Sequence, residues 1–407
     1  MNITCYPATL SGTVAAIRSK SDVHRKLICA ALSQNGGTLP LHTPYCDDIA
    51  ATVRCLTALG AAFTETANGM QITPVVRRPE ALLDCGESGS TLRFLLPVAM
   101  CVCNRIHVTG SGRLPERPIS TLTDAMSAHS VQFHPTTLPL TAEGMLTGGI
   151  YEIAGNISSQ FLSGLLMALP LCESDSEIRL TTPLQSSAYV DMTLDTLRLF
   201  GVEIQVKTES GLLRYDIKGK QMLRFPDDIQ VDGDWSNAAF LYAFNALGAE
   251  LEVEGLNLDS FQGDKVCRAH LDALAEGFSE IDLSDTPDLG PVLFAAAAAL
   301  HGGKFSGISR LRIKESDRVG AMTQELARFG AVSDISENEV TVMPPEGGLH
   351  APLAELYGHN DHRIVMALAV LCSVYGGVIG GCEAVAKSWP DFFETMKACG
   401  LSAEEIR

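Results

Sequence analysis

Positive charge is what this sequence is short of: 30 lysines and arginines stand against 48 aspartates and glutamates, a net charge of −18. That balance argues against nucleic acid or an anionic membrane surface as a partner. Charged residues of either sign make up only 19% of the chain and apolar ones 46%, so the composition of a disordered protein is missing too. Twelve cysteines occur without a CxxC pair, and Met1 to Val14 has neither an apolar signal core nor an Arg-rich transit pattern. Free buried thiols and a cytoplasmic location are therefore expected. The ten histidines form no HxH or HxxxH group, so no metal site is suggested, and nothing calls for a cofactor. A long apolar run is missing as well. Ile364 to Cys382 is free of formal charge over 19 residues, but Gly376, Gly377, Gly380 and Gly381 break it. The pattern predicts a buried helix of about three turns and then a strand, not a membrane span.

What is present is repetition. Leu59-Gly60-Ala61, Phe200-Gly201-Val202 and Phe329-Gly330-Ala331 each join a helical pattern to an alternating strand pattern, and Cys399-Gly400-Leu401 begins the same way. These glycines lie 141, 129 and 70 residues apart, multiples of a unit of about 70. Fainter versions lie near His129 to Phe133 and Gly277 to Leu283. The glycine closes the helix in a left-handed cap, and Asn68-Gly69 and Ser210-Gly211 turn the next strand back. A chain of 407 residues suits two domains, hence three units in each. Leu92–Met100, Phe161–Leu171, Ala238–Leu247, Leu289–Leu300 and Ile364–Val374 lack a polar face and must be buried all round. Helices inside and sheets outside follow.

The residues that open these helices carry the functional signal. Lys20-Ser21-Asp22, Gly86 to Thr91, Ser158-Ser159-Gln160, Asp234 to Asn237 and Asp288 all precede apolar runs, as do Lys314 to Arg318 and Asn360 to Arg363. Helix capping accounts for the Ser, Asp and Asn residues. It does not account for Lys20, Arg25, Arg93, Arg117, Lys314, Arg318 and Arg363, which are cations at helix ends that are already positive. Such a placement is unfavourable unless an anion is shared.

Seven strings in order, Lys20-Ser21 with Arg25, Gly86–Arg93, Glu116-Arg117-Pro118, Ser158–Phe161, Lys314–Arg318, Asn360–Arg363 and Lys387–Asp391, resemble the 5-enolpyruvylshikimate-3-phosphate (EPSP) synthase family over essentially the whole chain. The resemblance implies a mixed α/β fold, a two-domain inside-out α/β barrel with three βαβαββ repeats per domain around buried parallel helices. It places one domain at residues 1–17 and 232–407, with much of the phosphoenolpyruvate site, and the other at 18–231, with much of the shikimate 3-phosphate site. The active site is then expected in the cleft between them. The implied reaction moves the enolpyruvyl group of phosphoenolpyruvate to the 5-hydroxyl of shikimate 3-phosphate. Both substrates are polyanions, which fits basic islands in an acidic chain.

By motif match, Asp288 and Glu315 are the acid/base pair, with Lys20 at the 5-oxygen. The plainer alternatives are a helix cap for Asp288 and a salt bridge to Arg318 for Glu315. Lys20, Gly89, Arg117, Arg318, Arg363 and Lys387 match the phosphoenolpyruvate site. Lys20, Ser21, Arg25, Ser158, Ser159, Gln160, Ser186, Tyr189, Asp288 and Lys314 match the shikimate 3-phosphate site. Tyr189 also fits a core aromatic, and His362 a helix cap or support residue. Glu87, Phe94 and Arg310 depart from the family pattern. Glyphosate binding is expected because Gly89 is retained, and a monomer is expected. UDP-N-acetylglucosamine enolpyruvyl transferase would call for Asn after Lys20 and a cysteine near Arg117, and has neither here. A non-catalytic anion-binding relative would be expected to lose Asp288, Glu315 or Lys20.

Overall fold

A computed structural model describes residues 1–406. The chain divides into two compact units, Met1–Ser19 with Asp232–Arg407, and Lys20–Val231, each with its own apolar core. Within the first unit the two chain passages lie side by side: Ser19 N–H donates to Asp232 O and Asp234 N–H to Ile17 O, both at 2.8 Å.

One pattern recurs in both units. A strand leads into a buried helix, a parallel strand follows, and a second helix ends in an antiparallel hairpin. In the Lys20–Val231 unit the strands Arg78–Asp84 and Cys103–Thr109 flank the helix Gly89–Val102, and Val131–His134 and Leu140–Gly144 form the hairpin. The sheet order is first, second, fourth, third. The same order recurs from Ile150–Ile153 to Leu212–Ile217 and, in the other unit, from Ser279–Asp282 to Glu339–Met343. A further sheet pairs Leu356–Tyr357 with Gly377–Gly380 and Ser402–Ile406 with Asn2–Tyr6, so the start of the chain supplies its missing strand. Two repeats are abbreviated: Gly37–Leu39 joins Ala62–Thr66 and Gly69–Thr73 in three strands, and Glu250–Glu254 pairs only with Ser11–Ala15. The sheets are therefore separate and open, and the barrel expected from the resemblance is not closed.

Register explains why the helices lie inside. Ala81, Ile106 and Ala142 are partners across three strands and all are buried, whereas Leu82, one residue on, is 60% exposed. One face of the sheet meets the helices and the other meets water. The helices Gly89–Val102 and Ser159–Ala168 pack on each other in one unit, and Gly290–Ala299 and His362–Tyr375 in the other. Nearly every side chain on these four is buried. Among the described residues no helix is long and apolar enough to cross a membrane. The uncharged stretch from Ile364 ends as helix to Tyr375 and strand Gly377–Gly380.

The glycine pattern has a backbone reason. Gly60, Gly201, Gly330 and Gly400 have φ of +107°, +82°, +92° and +105°, where a side chain is disfavoured. Near residue 130 the same place is held by Ser130 at φ 71°, which is why that copy is faint. The stretch near Gly277 is not a copy: the glycine is extended at φ 170°, and Ser279–Asp282 runs parallel to Gly303–Ser306 as the opening strand of the next sheet. A Cβ on Gly201 would touch nothing within 4 Å, whereas one on Gly60 would lie 2.3 Å from Val76 O. Gly201→Ala is expected to cost roughly 1 kcal/mol from backbone strain alone, and Gly60→Ala about twice that or more. Urea unfolding of both variants checks the order, and equal costs would contradict it.

Candidate functional site

The helix openings are built as their sequences require. Ser88, Ser158, Asp234, Asp317 and Asp361 each accept a backbone N–H of the first turn that follows. Asp288 is not at the cap position. It lies in the short turn Pro287–Leu289, and the helix Gly290–Ala299 has Leu289 at its cap position.

Asp288 instead faces cations. Arg318, the first residue of the helix Arg318–Arg328, is 1% exposed and donates from Nη1 to Asp288 Oδ1 at 2.8 Å. Its Nη2 reaches Glu315 Oε2 at 2.8 Å and its Nε reaches Asp361 Oδ2 at 2.8 Å. Lys314 Nζ lies 3.3 Å from Asp288 Oδ1, and Arg363 Nη2 lies 3.3 Å from Oδ2. Lys387 Nζ donates to Asn360 O at 2.6 Å, next to this group. Asp288, Lys314, Glu315, Arg318 and Arg363 thus form one cluster, with Lys387 attached to the loop that carries Arg363. Glu315 does make the salt bridge to Arg318 that its spacing suggests.

Burial grades across the cluster. Arg318 and Asp361 are sealed, at 1% and 0% side-chain exposure, whereas Asp288, Lys314 and Glu315 reach solvent at 20%, 19% and 16%. Burial opposes the charge on Arg318, but Asp361, Glu315 and Asp288 more than offset it and raise its pKa. Lys314 goes the other way. Loss of solvent outweighs the help of Asp288, Arg318 and Arg310 add repulsion, and its ammonium falls to about 8.

Asp361, within the Asn360–Arg363 string, has a larger part than its sequence suggests. It caps the helix His362–Tyr375 through Arg363 N–H at 3.0 Å, accepts from Ser316 Oγ at 3.0 Å and holds Arg318. An acid just before an apolar run was the available signal, and it pointed only to a cap. His362 is buried beside it, with Nδ1 3.9 Å from Asp361 Oδ1. Among the described residues there is no group of three or more His, Cys, Asp or Glu side chains placed to hold a metal ion.

The Lys20–Val231 unit holds the other candidates. Lys20 opens the helix Lys20–Leu32 and meets Asp48 Oδ2 at 2.8 Å. Arg25 is buried and donates to Ser21 O at 2.6 Å, Tyr189 O at 2.7 Å and Thr193 Oγ1 at 2.8 Å. Its guanidinium also lies 5.0 Å from the centre of the Phe94 ring, which gives that departure from the family pattern a packing role. Burial pulls Arg25 down to about 10. Gln160 accepts from Arg93 Nη1 at 2.6 Å and donates to Ser90 Oγ at 2.9 Å, joining two helix openings. Ser158 caps the helix that Ser159 begins, and Ser186, at φ 56° and fully buried, precedes the helix Ser187–Leu199. The Arg117 guanidinium lies over Gly89, where a Cβ would come within 2.7 Å of Nη1.

A buried chain that sequence reasoning missed links these openings. His24 Nδ1 meets Thr52 Oγ1 at 2.8 Å, Thr52 meets Thr91 Oγ1 at 2.7 Å, and Thr91 reaches Ser88 Oγ at 2.8 Å. Burial, then Lys20 and Arg25, hold the His24 pKa well below the usual value, so the ring is neutral near pH 7.

Removing one member of a buried ion cluster exposes its cost. Asp361→Ala is expected to destabilise by about 3 kcal/mol, because it strips Arg318 of its most buried partner and the helix of its cap. Glu116→Ala, which removes the exposed pair with Arg113, is expected to change stability by less than about 1 kcal/mol. Denaturant midpoints compare the two, and similar values would contradict the ranking.

Comparison with known proteins gives the family. The family described as EPSP synthase (3-phosphoshikimate 1-carboxyvinyltransferase) matches residues 6–396. The 3-phosphoshikimate 1-carboxyvinyltransferase of Clostridium perfringens is 37% identical, with 97% of each chain covered. That of Clostridioides difficile is 35% identical over 99% of this chain and 98% of the relative. Among solved structures, EPSP synthase from Acinetobacter baumannii matches with a TM-score of 0.77 at 23% identity, with 99% of each chain covered. The enolpyruvyl transferase NikO from Streptomyces tendae matches at 0.76 and 15% identity over 99% of this chain and 98% of that one. These last two likenesses concern the fold, which is the two-domain inside-out α/β arrangement. On the family match and the identity of its relatives over nearly their whole length, the chain belongs to the EPSP synthase family.

Proposed function

We propose that this chain transfers the enolpyruvyl group of phosphoenolpyruvate to the 5-hydroxyl of shikimate 3-phosphate by addition and elimination, releasing phosphate and giving 5-enolpyruvylshikimate 3-phosphate. The observation that carries the proposal beyond family membership is the pair Asp288 and Glu315, two partly exposed carboxylates held on one buried guanidinium. Addition needs an acid to protonate the methylene carbon of phosphoenolpyruvate while the 5-hydroxyl loses its proton and its oxygen bonds to the adjacent carbon. Elimination breaks that carbon's bond to the phosphate oxygen and takes a methyl proton back. An arriving polyanion raises the pKa of nearby carboxyls, so substrate binding itself favours the protonated acid that the first step requires. Lys20 supplies positive charge at the 5-oxygen.

In this reading Lys20, Gly89, Arg117, Arg318, Arg363 and Lys387 bind phosphoenolpyruvate, the arginines through paired hydrogen bonds. Lys20, Ser21, Arg25, Ser158, Ser159, Gln160, Ser186, Tyr189, Asp288 and Lys314 bind shikimate 3-phosphate. The unit Met1–Ser19 with Asp232–Arg407 carries much of the former, and Lys20–Val231 much of the latter. Glyphosate takes the phosphoenolpyruvate position, and the enzyme works as a cytoplasmic monomer.

Phosphate release from phosphoenolpyruvate tests the reaction. It is expected with shikimate 3-phosphate and not with UDP-N-acetylglucosamine, and Glu315→Gln is expected to lower kcat by about 100-fold or more. Release that Glu315→Gln leaves intact would remove Glu315 from the chemistry. Competition of glyphosate against phosphoenolpyruvate in the same assay tests the inhibitor assignment, and a lack of competition would overturn it.

Lys314 gives a pH signature. Its folded pKa of about 8 lies below the ordinary lysine value, so from about pH 8 upward the ligand-free protein has lost a proton that an anionic ester restores. Shikimate 3-phosphate binding above pH 8 should take up protons, and affinity should fall as pH rises through that range. Lys314→Arg should flatten the profile, because guanidinium stays charged. Calorimetry in buffers of different ionisation enthalpy reads the proton count, and zero uptake at pH 8.5 would exclude this role.

A further inference from the structure

Just before the Asp361 cap, two consecutive non-glycine residues, His359 and Asn360, have φ of 51° and 53°. Such backbone is unfavourable and persists only where its surroundings hold it. The turn matters because of what flanks it. Asn360 O receives Lys387 Nζ at 2.6 Å, Asp361 holds Arg318, and Arg363 meets Asp288. Its other support comes from Glu325, seven residues beyond Arg318 on the Arg318–Arg328 helix and fully buried. Glu325 Oε1 lies 2.9 Å from His359 Nε2, and Oε2 accepts from Tyr357 N–H at 3.1 Å. Oε2 also meets Arg328 Nε at 3.1 Å, while Arg328 Nη1 donates to Glu355 O.

A carboxylate with no exposure is costly unless donors surround it, and here three donors converge on two oxygens. Filling a gap beneath a loop would need only an apolar side chain. Two directed contacts instead fix the entry to the left-handed turn, at Tyr357, and the turn residue His359, while the third donor, Arg328, lies on the same helix as Glu325. Helical geometry makes the link rigid: Arg318 and Glu325 are about two turns apart on one helix, so the element that presents Arg318 also anchors the loop that presents Arg363 and meets Lys387.

We propose that Glu325 is a positioning residue for phosphoenolpyruvate binding, acting through His359 and the Tyr357 amide to hold the turn that sets Arg363 and Lys387. This rests on the assignment of those two cations to phosphoenolpyruvate. Glu325 itself touches none of the proposed reacting groups.

Steady-state kinetics of Glu325→Gln, His359→Ala and His359→Gln, with melting temperature measured alongside, test it. Glu325→Gln and His359→Ala should each raise KM for phosphoenolpyruvate about tenfold, with kcat within about threefold and KM for shikimate 3-phosphate unchanged. His359→Gln keeps a donor toward Glu325 and should recover most of the loss. The Glu325→Gln/His359→Ala double variant should be within about twofold of the worse single one, since both break the same contact. If Glu325→Gln does not fold, the two His359 variants decide the matter, because that side chain is 20% exposed. An unchanged KM for phosphoenolpyruvate, a parallel rise of both KM values, or full additivity would overturn the proposal. Arg363→Ala serves as the reference. If it raises KM for phosphoenolpyruvate and the Glu325 and His359 variants do not, only the positioning role falls. If Arg363→Ala has no effect, the binding assignment falls and takes the positioning role with it.

Discussion

Arg318 is the constraint on which the rest of its unit depends. Its guanidinium is almost wholly out of water and bonds to carboxylates from three separate places in the chain, Asp288, Glu315 and Asp361. Taking such charges out of water is expensive, and the arrangement survives only because each N–H edge finds an oxygen. In return it ties the turn before one buried helix, the opening of another and the cap of a third to a single planar group. A lysine could not replace it, having no fork to span them.

The same cluster shows how an acidic protein can carry cations at its helix openings. Cations at helix openings would repel one another and the positive helix ends if left alone. Here they are balanced by carboxylates, two of which are the groups proposed for proton transfer. The balance is uneven: Arg318 meets Asp361, Glu315 and Asp288 at 2.8 Å, with a second Asp361 contact at 3.3 Å, whereas the contacts of Arg363 and Lys314 to the Asp288 carboxylate are at 3.3 Å. In the proposed reaction an incoming phosphate or carboxylate would compete with these longer contacts and leave those of Arg318 intact.

Much of this was legible in the sequence because it is local. A left-handed glycine after a helix, an acid or serine before an apolar run and an apolar surface all round a helix are each written within a few residues. The helix openings brought Asp288 to notice and the family strings Lys314, Glu315, Arg318 and Arg363, and all five do share one cluster. Local pattern also misled. Gly277 ends a helix as the other glycines do, yet it is extended, and the next strand opens a new sheet; Ser130 takes the left-handed position without a glycine to announce it. Some contacts were not legible because they join residues remote in sequence. Arg25 turning to Tyr189 and Thr193, the His24 to Ser88 chain of hydroxyls, and Glu325 beneath His359 all depend on which helices become neighbours. His359 shows the gap most clearly: nothing near it in sequence announces that its ring turns to the buried carboxylate of Glu325.

Why the charged residues gather at all follows from strand direction. In the repeat that opens with Ser279–Asp282, the next strand, Gly303–Ser306, runs parallel to it, so the chain leaves both strands at the same edge of the sheet. Asp288 follows the first, and Lys314, Glu315 and Arg318 follow the second. In the last repeat Leu356–Tyr357 is parallel to Gly377–Gly380, and the loops after them carry Asp361 with Arg363 and Lys387. Asn237, in the first turn of the helix Trp235–Ala246, joins the same group by donating to Ser388 Oγ at 3.0 Å. Parallel pairing thus forces the helix openings of one unit together outside the C-terminal ends of their strands, where α/β sheets commonly place ligands. The antiparallel hairpins that close the full repeats add sheet without adding another helix opening. Chemistry concentrated at one edge is then a consequence of topology, and the sequence need only place charge where each helix begins.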